Sequence, residues 1–283
     1  MKFILSAILV LFTLQLSAQK IEAYQLYNKK GRKVNFKRLV KSVKKKDIIL
    51  FGELHDNPIA HWMQLKLAKE LNHENDLVLG AEMLETDNQE ALNDYLNNKI
   101  NQKSLDSLAR LWVNHKTDYK PLVDFAKSEN LKFVATNIPR RYASQVYRNG
   151  FEVLDTLPKN EKNWIAPLPI DYDPDLPGYK KMLTMMEDHK NPNFPKAQAI
   201  KDATMAYFIM KNRAEGQQFL HFNGAYHSNN FEGIYWYLKQ ADKEVKIATI
   251  STVMQKDVSK LEEEYKLQAD FILVVDKEMT RTY

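Results

Sequence analysis

The chain has 283 residues, a formal net charge of +5 and no cysteine. The absence of cysteine excludes disulfides, thiolate metal sites and a thiol nucleophile. Hydrophobic residues make up 44% of the sequence, so a packed apolar core can stabilise the fold without such crosslinks.

The N-terminal residues have the layout of a secretory signal peptide. Lys2 is followed by the apolar run Phe3–Leu14 and by small residues before Gln19. This run is shorter than the roughly 20 residues that a membrane span needs. We therefore expect residues 1–18 to be a cleaved signal and residues 19–283 to form a single exported domain with no transmembrane segment. We expect that domain to be periplasmic or associated with the outer membrane, with no lipid anchor because there is no Cys.

Six short apolar runs predict buried strands, and amphipathic segments between them predict helices. Apolar runs without alternation are typical of parallel strands that are covered on both faces. Strands that alternate with helices indicate an α/β fold, with a mostly parallel sheet flanked by helices. The predicted strands are Asp47–Phe51, Leu77–Ala81, Leu131–Thr136, Gln218–Phe222, Val245–Ile250 and Phe271–Val275. The predicted helices are Pro58–Leu71, Asn88–Leu96, Ser104–Val113, Tyr119–Ser128, Pro139–Asn149, Ala197–Ala214 and Phe231–Gln240.

Two segments fall outside this alternation. Residues 29–46 contain ten Lys or Arg residues and no acidic residue. Because an exported protein is not expected to meet nucleic acid, we predict a solvated basic face and no nucleic-acid partner. Residues 157–195 hold seven of the ten prolines. We predict that this segment is a helical and irregular excursion over the carboxyl ends of the strands.

The most specific signal is a pair of Gly-x-x-His turns, at Gly52–His55 and Gly224–His227. With seven His and eight Gly in the chain, chance predicts roughly 0.2 such pairs. Each turn follows a predicted strand, where Gly accepts positive φ and lets a ligand approach the backbone. Ligands bind at the carboxyl ends of parallel strands, so both His residues can face one site. The alternative is that each His only caps its own turn.

Carboxylates accompany the two turns. Glu53 lies inside the first turn, and Glu82 follows the predicted strand Leu77–Ala81. A carboxylate at such a position can act as a general base, bind a metal ion or orient a His. The alternative for Glu82 is a structural ion pair with Arg140 or Arg141.

Two predicted helix starts could add an anion site. Asn57 and Asn137 each stand shortly before a Pro that begins a helix, and Arg140 and Arg141 follow the second of these prolines. Free N–H groups and the positive end of a helix dipole favour an anion such as a carboxylate, a phosphate or a porphyrin propionate. Ordinary capping is the alternative.

Other candidates are isolated. His61, in the first predicted helix after the Gly52 turn, could face the site or solvent. Asp202 could be a buried partner of a site residue or lie on a solvated face. Tyr179 and His189 flank a Met-rich stretch that could line a pocket for a flat apolar ligand, with ordinary packing as the alternative.

These residues together carry a family resemblance over residues 48–238. In order they are Gly52-Glu53-Leu54-His55-Asp56-Asn57-Pro58, Glu82, Ala135-Thr136-Asn137-Ile138-Pro139-Arg140, Gln198, Asp202, Met205-Ala206 and Gly224-Ala225-Tyr226-His227. The chain resembles the ChaN-like proteins of the wider Tiki/TraB-type grouping. The resemblance implies an exported protein that binds haem in iron acquisition, with shared site positions at Glu53, His55, Glu82, Asn137, Arg140 and His227. The family motif does not identify the ligand of the haem iron, for which Tyr226, His189 and Tyr179 are chemically able.

Two functions therefore remain open. The first is haem binding, with a homodimer in which two protomers share an exposed apolar patch. The second is a metal-dependent hydrolase of the protease or esterase type, as found among relatives in the wider grouping. In that case Glu53 or Glu82 would activate water, while Glu53, His55 and His227 would hold a divalent metal ion. A third reading, an exported module with no ligand, would leave both Gly-x-x-His turns without a role.

Overall fold

The computed structural model describes residues 21–184 and 191–283. The expected signal segment, residues 1–18, and the candidate haem ligand His189 lie outside the described residues. Within the described ranges, no helix combines the length and the apolar character that crossing a membrane requires.

Eight strands of the described chain form one mixed sheet, in the order β2-β1-β8-β7-β3-β6-β4-β5. All neighbouring pairs from β8 to β5 are parallel, whereas β1 is antiparallel to both β2 and β8. The α/β prediction with a mostly parallel sheet is confirmed. The strands are β1 (Tyr24–Asn28), β2 (Lys33–Val34), β3 (Ile48–Glu53), β4 (Leu77–Glu85), β5 (Phe133–Asn137), β6 (Gln218–Gly224), β7 (Ile247–Gln255) and β8 (Phe271–Asp276).

Helices cover both faces of the sheet. Along β3, Ile49 and Phe51 pack into one apolar core and Ile48 and Leu50 into the other. This two-sided burial explains why the strand is apolar without alternation. The helices are α1 (Phe36–Val43), α2 (Pro58–Asn72), α3 (Gln89–Leu96), α4 (Gln102–Leu108), α5 (Lys120–Ser128), α6 (Arg140–Asn149), α7 (Lys159–Lys162), α8 (Pro177–Met182), α9 (Phe194–Asn212) and α10 (Ile234–Ala241).

Several element boundaries differ from the sequence prediction. All six predicted strands form, but β1, β2 and α1 were not predicted. The basic segment includes α1, whose Lys37, Arg38 and Lys41 are exposed as expected of a solvated face. The predicted helix 104–113 was wrong in its second half, because α4 ends at Leu108 and the backbone of Ala109 is extended (φ −111°, ψ 147°).

The sheet topology brings the two Gly-x-x-His turns together. β3 and β6 are parallel neighbours, and Glu53 pairs with Gly224 in the register. β4, which carries Glu82, lies on the other side of β6. The carboxyl ends of three adjacent strands therefore meet at one edge of the sheet. Helix α8, part of the proline-rich excursion 157–195, lies beside this edge, because Pro177 and Met182 line the same cavity as His55.

Candidate functional site

The two glycines are required by the close approach of the two turns. A Cβ atom at Gly52 would lie 2.8 Å from Cα of Ala225, in the second turn, and a Cβ atom at Gly224 would lie 2.8 Å from Nε2 of His55, in the first. Neither glycine has a positive φ, and that of Gly224 is −56°. The expectation that these positions need the left-handed region was therefore wrong. Each turn leaves room for the other.

His55 is held by a buried carboxylate. Its Nδ1 lies 2.9 Å from Oε1 of Glu53, which is 1% exposed. A carboxylate only accepts hydrogen bonds, so Nδ1 carries a proton, and Nε2 is the nitrogen that is free of a proton when the ring is neutral. Burial lowers the pKa of His55, but the hydrogen bond to Glu53 and the charges of Glu53 and Glu82 outweigh it, so the pKa is raised. Trp112 contacts the ring edge-on, with centroids 4.8 Å apart.

Glu53 is in turn fixed by groups from α2 and from the turn before α5. The Tyr119 hydroxyl donates to Oε1 over 2.7 Å, and the Gln64 amide donates to Oε2 over 2.6 Å. His61, 6% exposed, has Nδ1 3.5 Å from Oε2 of Glu53 and Nε2 3.1 Å from the backbone oxygen of His55. Burial and the nearby Glu53 raise the pKa of Tyr119, so its hydroxyl remains a donor. This network fixes the orientation of the His55 ring.

His227 is enclosed between two buried carboxylates. Its Nε2 lies 3.0 Å from Oε1 of Glu82, and its Nδ1 lies 2.5 Å from Oδ1 of Asp202. Burial lowers the pKa of His227, but the two charges outweigh burial and raise it to about 10. The pKa of Glu82 is lowered, because the charge of His227 outweighs the effect of burial. The pKa of Asp202 is raised, because there burial outweighs the charge of His227. At neutral pH His227 is an imidazolium, paired with the Glu82 carboxylate.

Two more contacts complete this second network. The Tyr179 hydroxyl donates to Oδ2 of Asp202 over 2.9 Å, and the backbone N–H of Gly224 donates to Oε2 of Glu82 over 2.7 Å. The alternative expectation that Glu82 pairs with Arg140 or Arg141 is not what the structure shows. Asp202 is the buried partner of a site His, as one of its two readings proposed.

The turns form one wall of a cavity of about 880 Å³, which we call the site cavity. Glu53, His55, Tyr226 and His227 are the sequence-predicted site residues that line it. Tyr226 is 38% exposed. Its hydroxyl donates to the backbone oxygen of Gly178 over 2.7 Å, and burial raises its pKa to about 12. Leu54, Met182, Phe194, Val253 and Met254 contribute apolar surface to the wall. Polar and charged side chains also line it, among them Asp56, Lys181, Asn229, Asn230, Glu232 and Gln268.

The expected anion corner is not part of this cavity. Asn137 ends the edge strand β5, with β4 between β5 and β6, and Arg140 and Arg141 follow it. Arg141 is engaged by Asp87, 2.6 Å away. Asn57 acts as a cap, since its Oδ1 accepts from the backbone N–H of Ala60 over 3.0 Å. Asn57 thus matches the capping alternative. Oδ1 of Asn137 is buried and has no hydrogen-bond partner among the residues that the structure describes.

Several contributors were not among the predicted site residues, although Gln198 is one of the residues that carry the family resemblance. Gln64 and Tyr119 hold Glu53, and Gln198 places its amide nitrogen 2.9 Å from Nδ1 of His227. Gln64 lies three residues after His61 and so shares its helix face, which was an available signal. Tyr119 reaches the site only through tertiary packing. In residues 21–184 and 191–283, no group of three or more His, Asp or Glu side chains is arranged to hold a metal ion.

Comparisons with known proteins identify what the chain is similar to. A family model described as "Haem-binding uptake, Tiki superfamily, ChaN" matches residues 39–238. A structure of ChaN of Campylobacter jejuni, described as showing cofacial heme binding, has 16% identity and a TM-score of 0.66, covering 89% of this chain and 97% of that one. A succinoglycan biosynthesis protein has 12% identity and a TM-score of 0.53, covering 85% and 90%. At such identities the structural similarity shows the fold alone. The search of curated protein sequences gave no significant match.

Proposed function

Because the chain belongs to the ChaN family of haem-binding uptake proteins in the Tiki superfamily, we propose that it binds haem and acts as an exported protein of iron acquisition. The observation that carries this proposal is the site cavity of about 880 Å³, bordered by His55 and Tyr226 at the carboxyl ends of β3 and β6. Sites of roughly 300–1,000 Å³ with mostly apolar walls and few polar groups are typical of small-molecule ligands.

The lining fits the chemistry of haem. Met182, Phe194 and Val253 offer apolar surface to a flat macrocycle. Lys181 offers a cation to a propionate, in a lining that also holds the carboxyl groups of Asp56 and Glu232. Bound haem would supply the iron, whereas the chain supplies its ligand and the apolar walls. Neutral imidazole and tyrosine oxygen are both known types of haem-iron ligand.

Two side chains are best placed to ligate the iron. His55 has Nε2 as its free nitrogen and a side chain that is 32% exposed. Tyr226 also lines the site cavity, but its hydroxyl would have to leave the backbone oxygen of Gly178. The Tyr179 hydroxyl is committed to Asp202, which supports a positioning role rather than ligation.

The test is a haem titration followed by UV–visible absorption. Wild-type protein should give a saturable Soret shift, and His55→Ala and Tyr226→Phe should separate the two candidate ligands by the spectrum that each retains. His73→Ala, on the exposed end of α2, is the matched control and should bind as wild type does. Haem binding no tighter than to an unrelated basic protein would sink the proposal.

We also propose a homodimer in the haem-bound state. Haem has two apolar faces. Tyr226 lines the site cavity and is partly exposed to solvent, so a second protomer could cover the ligand on this side. Light scattering should give the mass of one chain without haem and of two chains with it. An unchanged mass at saturation would contradict the dimer without affecting haem binding itself.

A metal-dependent hydrolase is the second candidate. The two His–carboxylate networks favour a hydrolase, because they bring four acid–base groups together at the carboxyl edge of the sheet: Glu53, His55, Glu82 and His227. Glu53, His55 and His227, the metal ligands that the sequence predicts for this case, are not arranged to hold an ion within the described residues, and His227 would first have to lose a proton and release a carboxylate. Elemental analysis of the purified protein and turnover of ester and peptide panels test it, with Glu82→Gln expected to abolish hydrolysis. No bound metal and no turnover would contradict it.

A further inference from the structure

A second cavity of about 770 Å³ lies between α4 and the segment that leads into α5. None of its lining residues lines the site cavity. We propose that it binds an organic carboxylate with an apolar body, such as an aromatic or aliphatic acid. We call it the basic cavity, and its lining consists of Gln102, Lys103, Asp106, Ala109, Arg110, Leu111, Trp112, Val113, His115, Lys116 and Lys120.

The charge of the lining favours an anion. Four cationic side chains face a single acidic one, Asp106. Two of the cations are already engaged elsewhere, because Arg110 pairs with Glu85 and Lys120 with an acidic residue one helical turn along. Lys103 and Lys116 are exposed and have no ion-pair partner in the part of the chain that the structure describes. These two side chains are therefore available to a carboxylate.

Two buried polar atoms of the lining lack partners. His115 is 5% exposed, and its Nε2 has no hydrogen-bond partner within the described residues. Oε1 of Gln102 is buried and unpartnered in the same way. Burial lowers the pKa of His115, so the ring is neutral and can either donate or accept one hydrogen bond. Buried polar groups are nearly always satisfied, so His115 Nε2 is the atom that could donate to a carboxylate. Gln102 Oε1 is an acceptor, and its amide nitrogen already donates to Asp106, so it would take a water molecule and not the carboxylate.

The remaining lining gives the ligand its apolar part. Leu111, Trp112 and Val113 present apolar surface, and Val113 is 84% exposed. A π-helical turn begins at His115, and such turns occur frequently at functional sites. Apolar walls next to unpaired cations match a carboxylate on an apolar body better than inorganic phosphate.

Trp112 lines the basic cavity and also contacts His55 of the site cavity, so its indole reports on the basic cavity when the site-cavity variant Lys181→Glu is run beside it. No Trp lines the site cavity. The indole signal of Trp112 should therefore respond to occupancy of the basic cavity. This site does not depend on haem binding, so the two proposals can fail separately.

The experiment is a titration of 1-naphthoate into ¹⁵N-labelled protein, followed through the four indole N–H signals. Trp112→Phe identifies the relevant signal. We expect that signal to shift saturably while those of Trp62, Trp164 and Trp236 stay in place. Lys103→Glu combined with Lys116→Glu should weaken binding about tenfold. Lys37→Glu with Lys41→Glu, the same charge change on exposed positions of α1, should leave the affinity within about twofold.

Three results would overturn the proposal. One is an absence of saturable change at Trp112. Another is equal weakening by the two charge-reversed pairs, which would indicate general electrostatic attraction. The third is a Trp112 shift that Lys181→Glu abolishes and the Lys103/Lys116 pair does not, which would place the acid in the site cavity, since Lys181 lines that one.

Discussion

At His227, burial and charge act on the pKa in opposite directions, and charge prevails. Replacing His227 by Gln would leave Glu82 and Asp202 buried without a cation. We expect a loss of about 3–5 kcal/mol in the free energy of unfolding, the range seen when one partner of a buried ion pair is removed. Urea unfolding of His227→Gln measures it, with the exposed His73→Ala as the control. A loss below about 1 kcal/mol, within the usual effect of a surface substitution, would show that the two carboxylates are not both charged.

The same residue predicts how stability depends on pH. The folded-state pKa of His227, about 10, lies above the unfolded value of 6.5. Its stabilising contribution is therefore complete below pH 6.5 and is lost as pH rises through 10, by at most about 1.4 kcal/mol per pH unit. The difference in unfolding free energy between wild type and His227→Gln should shrink between pH 7 and pH 10. A difference that is constant over this window would contradict the raised pKa.

The sequence identified several of the residues that meet at the two turns and one of their partners, Asp202, but not the partners Gln64 and Tyr119. Glu53, His55 and His227 were identified because Gly-x-x-His recurs after two strands, and the structure brings those strands side by side. The sequence around Tyr119 contains no motif that marks it as a site residue. It reaches Glu53, 66 positions away in the sequence, only because its π-helical turn packs against the site. Arg140 begins α6 and lies outside the site cavity, because β5, the strand before α6, is at the edge of the sheet, which the sequence alone does not reveal.

At the scale of elements, the two turns act as one unit. An Ala at position 52 would collide with backbone, at Cα of Ala225. An Ala at position 224 would meet the tip of the His55 ring, which can shift if it gives up its hydrogen bond to Glu53. We expect Gly52→Ala to lower stability by about 1–3 kcal/mol, as overpacking does, and Gly224→Ala to cost less. Gly224→Ala should instead displace His55 and weaken haem binding. Thermal unfolding and the Soret titration, run on both variants, compare the two effects, and the reverse ranking of stability would contradict this account.

Element prediction succeeded where burial is two-sided and failed where it is not. The strands of the central sheet are apolar throughout because helices cover both faces, as Ile48 and Ile49 show by packing into different cores. β2 has two residues, only one of which, Val34, is buried, so its sequence carries little periodicity. Helix α4 has an N-cap at Asn101, whose side chain accepts from Ser104, yet its sequence does not mark the end at Leu108. Tertiary contacts set that boundary.

At the scale of the whole molecule, the parallel sheet gathers its chemistry at one end. The carboxyl ends of β3, β6 and β4 carry both His–carboxylate networks, and the proline-rich excursion adds the apolar wall. The basic helix α1 leads through Lys44–Asp47 into the amino end of β3, whereas the site lies at the carboxyl end of that strand. The site cavity is lined by residues of β3, β6 and β7 and of the excursion, so binding of a ligand there should be coupled to global stability.

That coupling predicts how haem changes thermal unfolding. A ligand present at 100 times its Kd adds about 2.7 kcal/mol to the native state, which corresponds to a rise in Tm of roughly 5–8 °C in a protein of this size. Protoporphyrin IX without iron fills the same apolar space but cannot be ligated, so it should raise Tm less at equal concentration. The rise with haem should also grow with protein concentration, because a haem-bound dimer is stabilised by mass action. Differential scanning calorimetry at two protein concentrations tests both points. Equal shifts for the two porphyrins would mean that the iron has no protein ligand, and a concentration-independent Tm would mean that haem binds to a monomer.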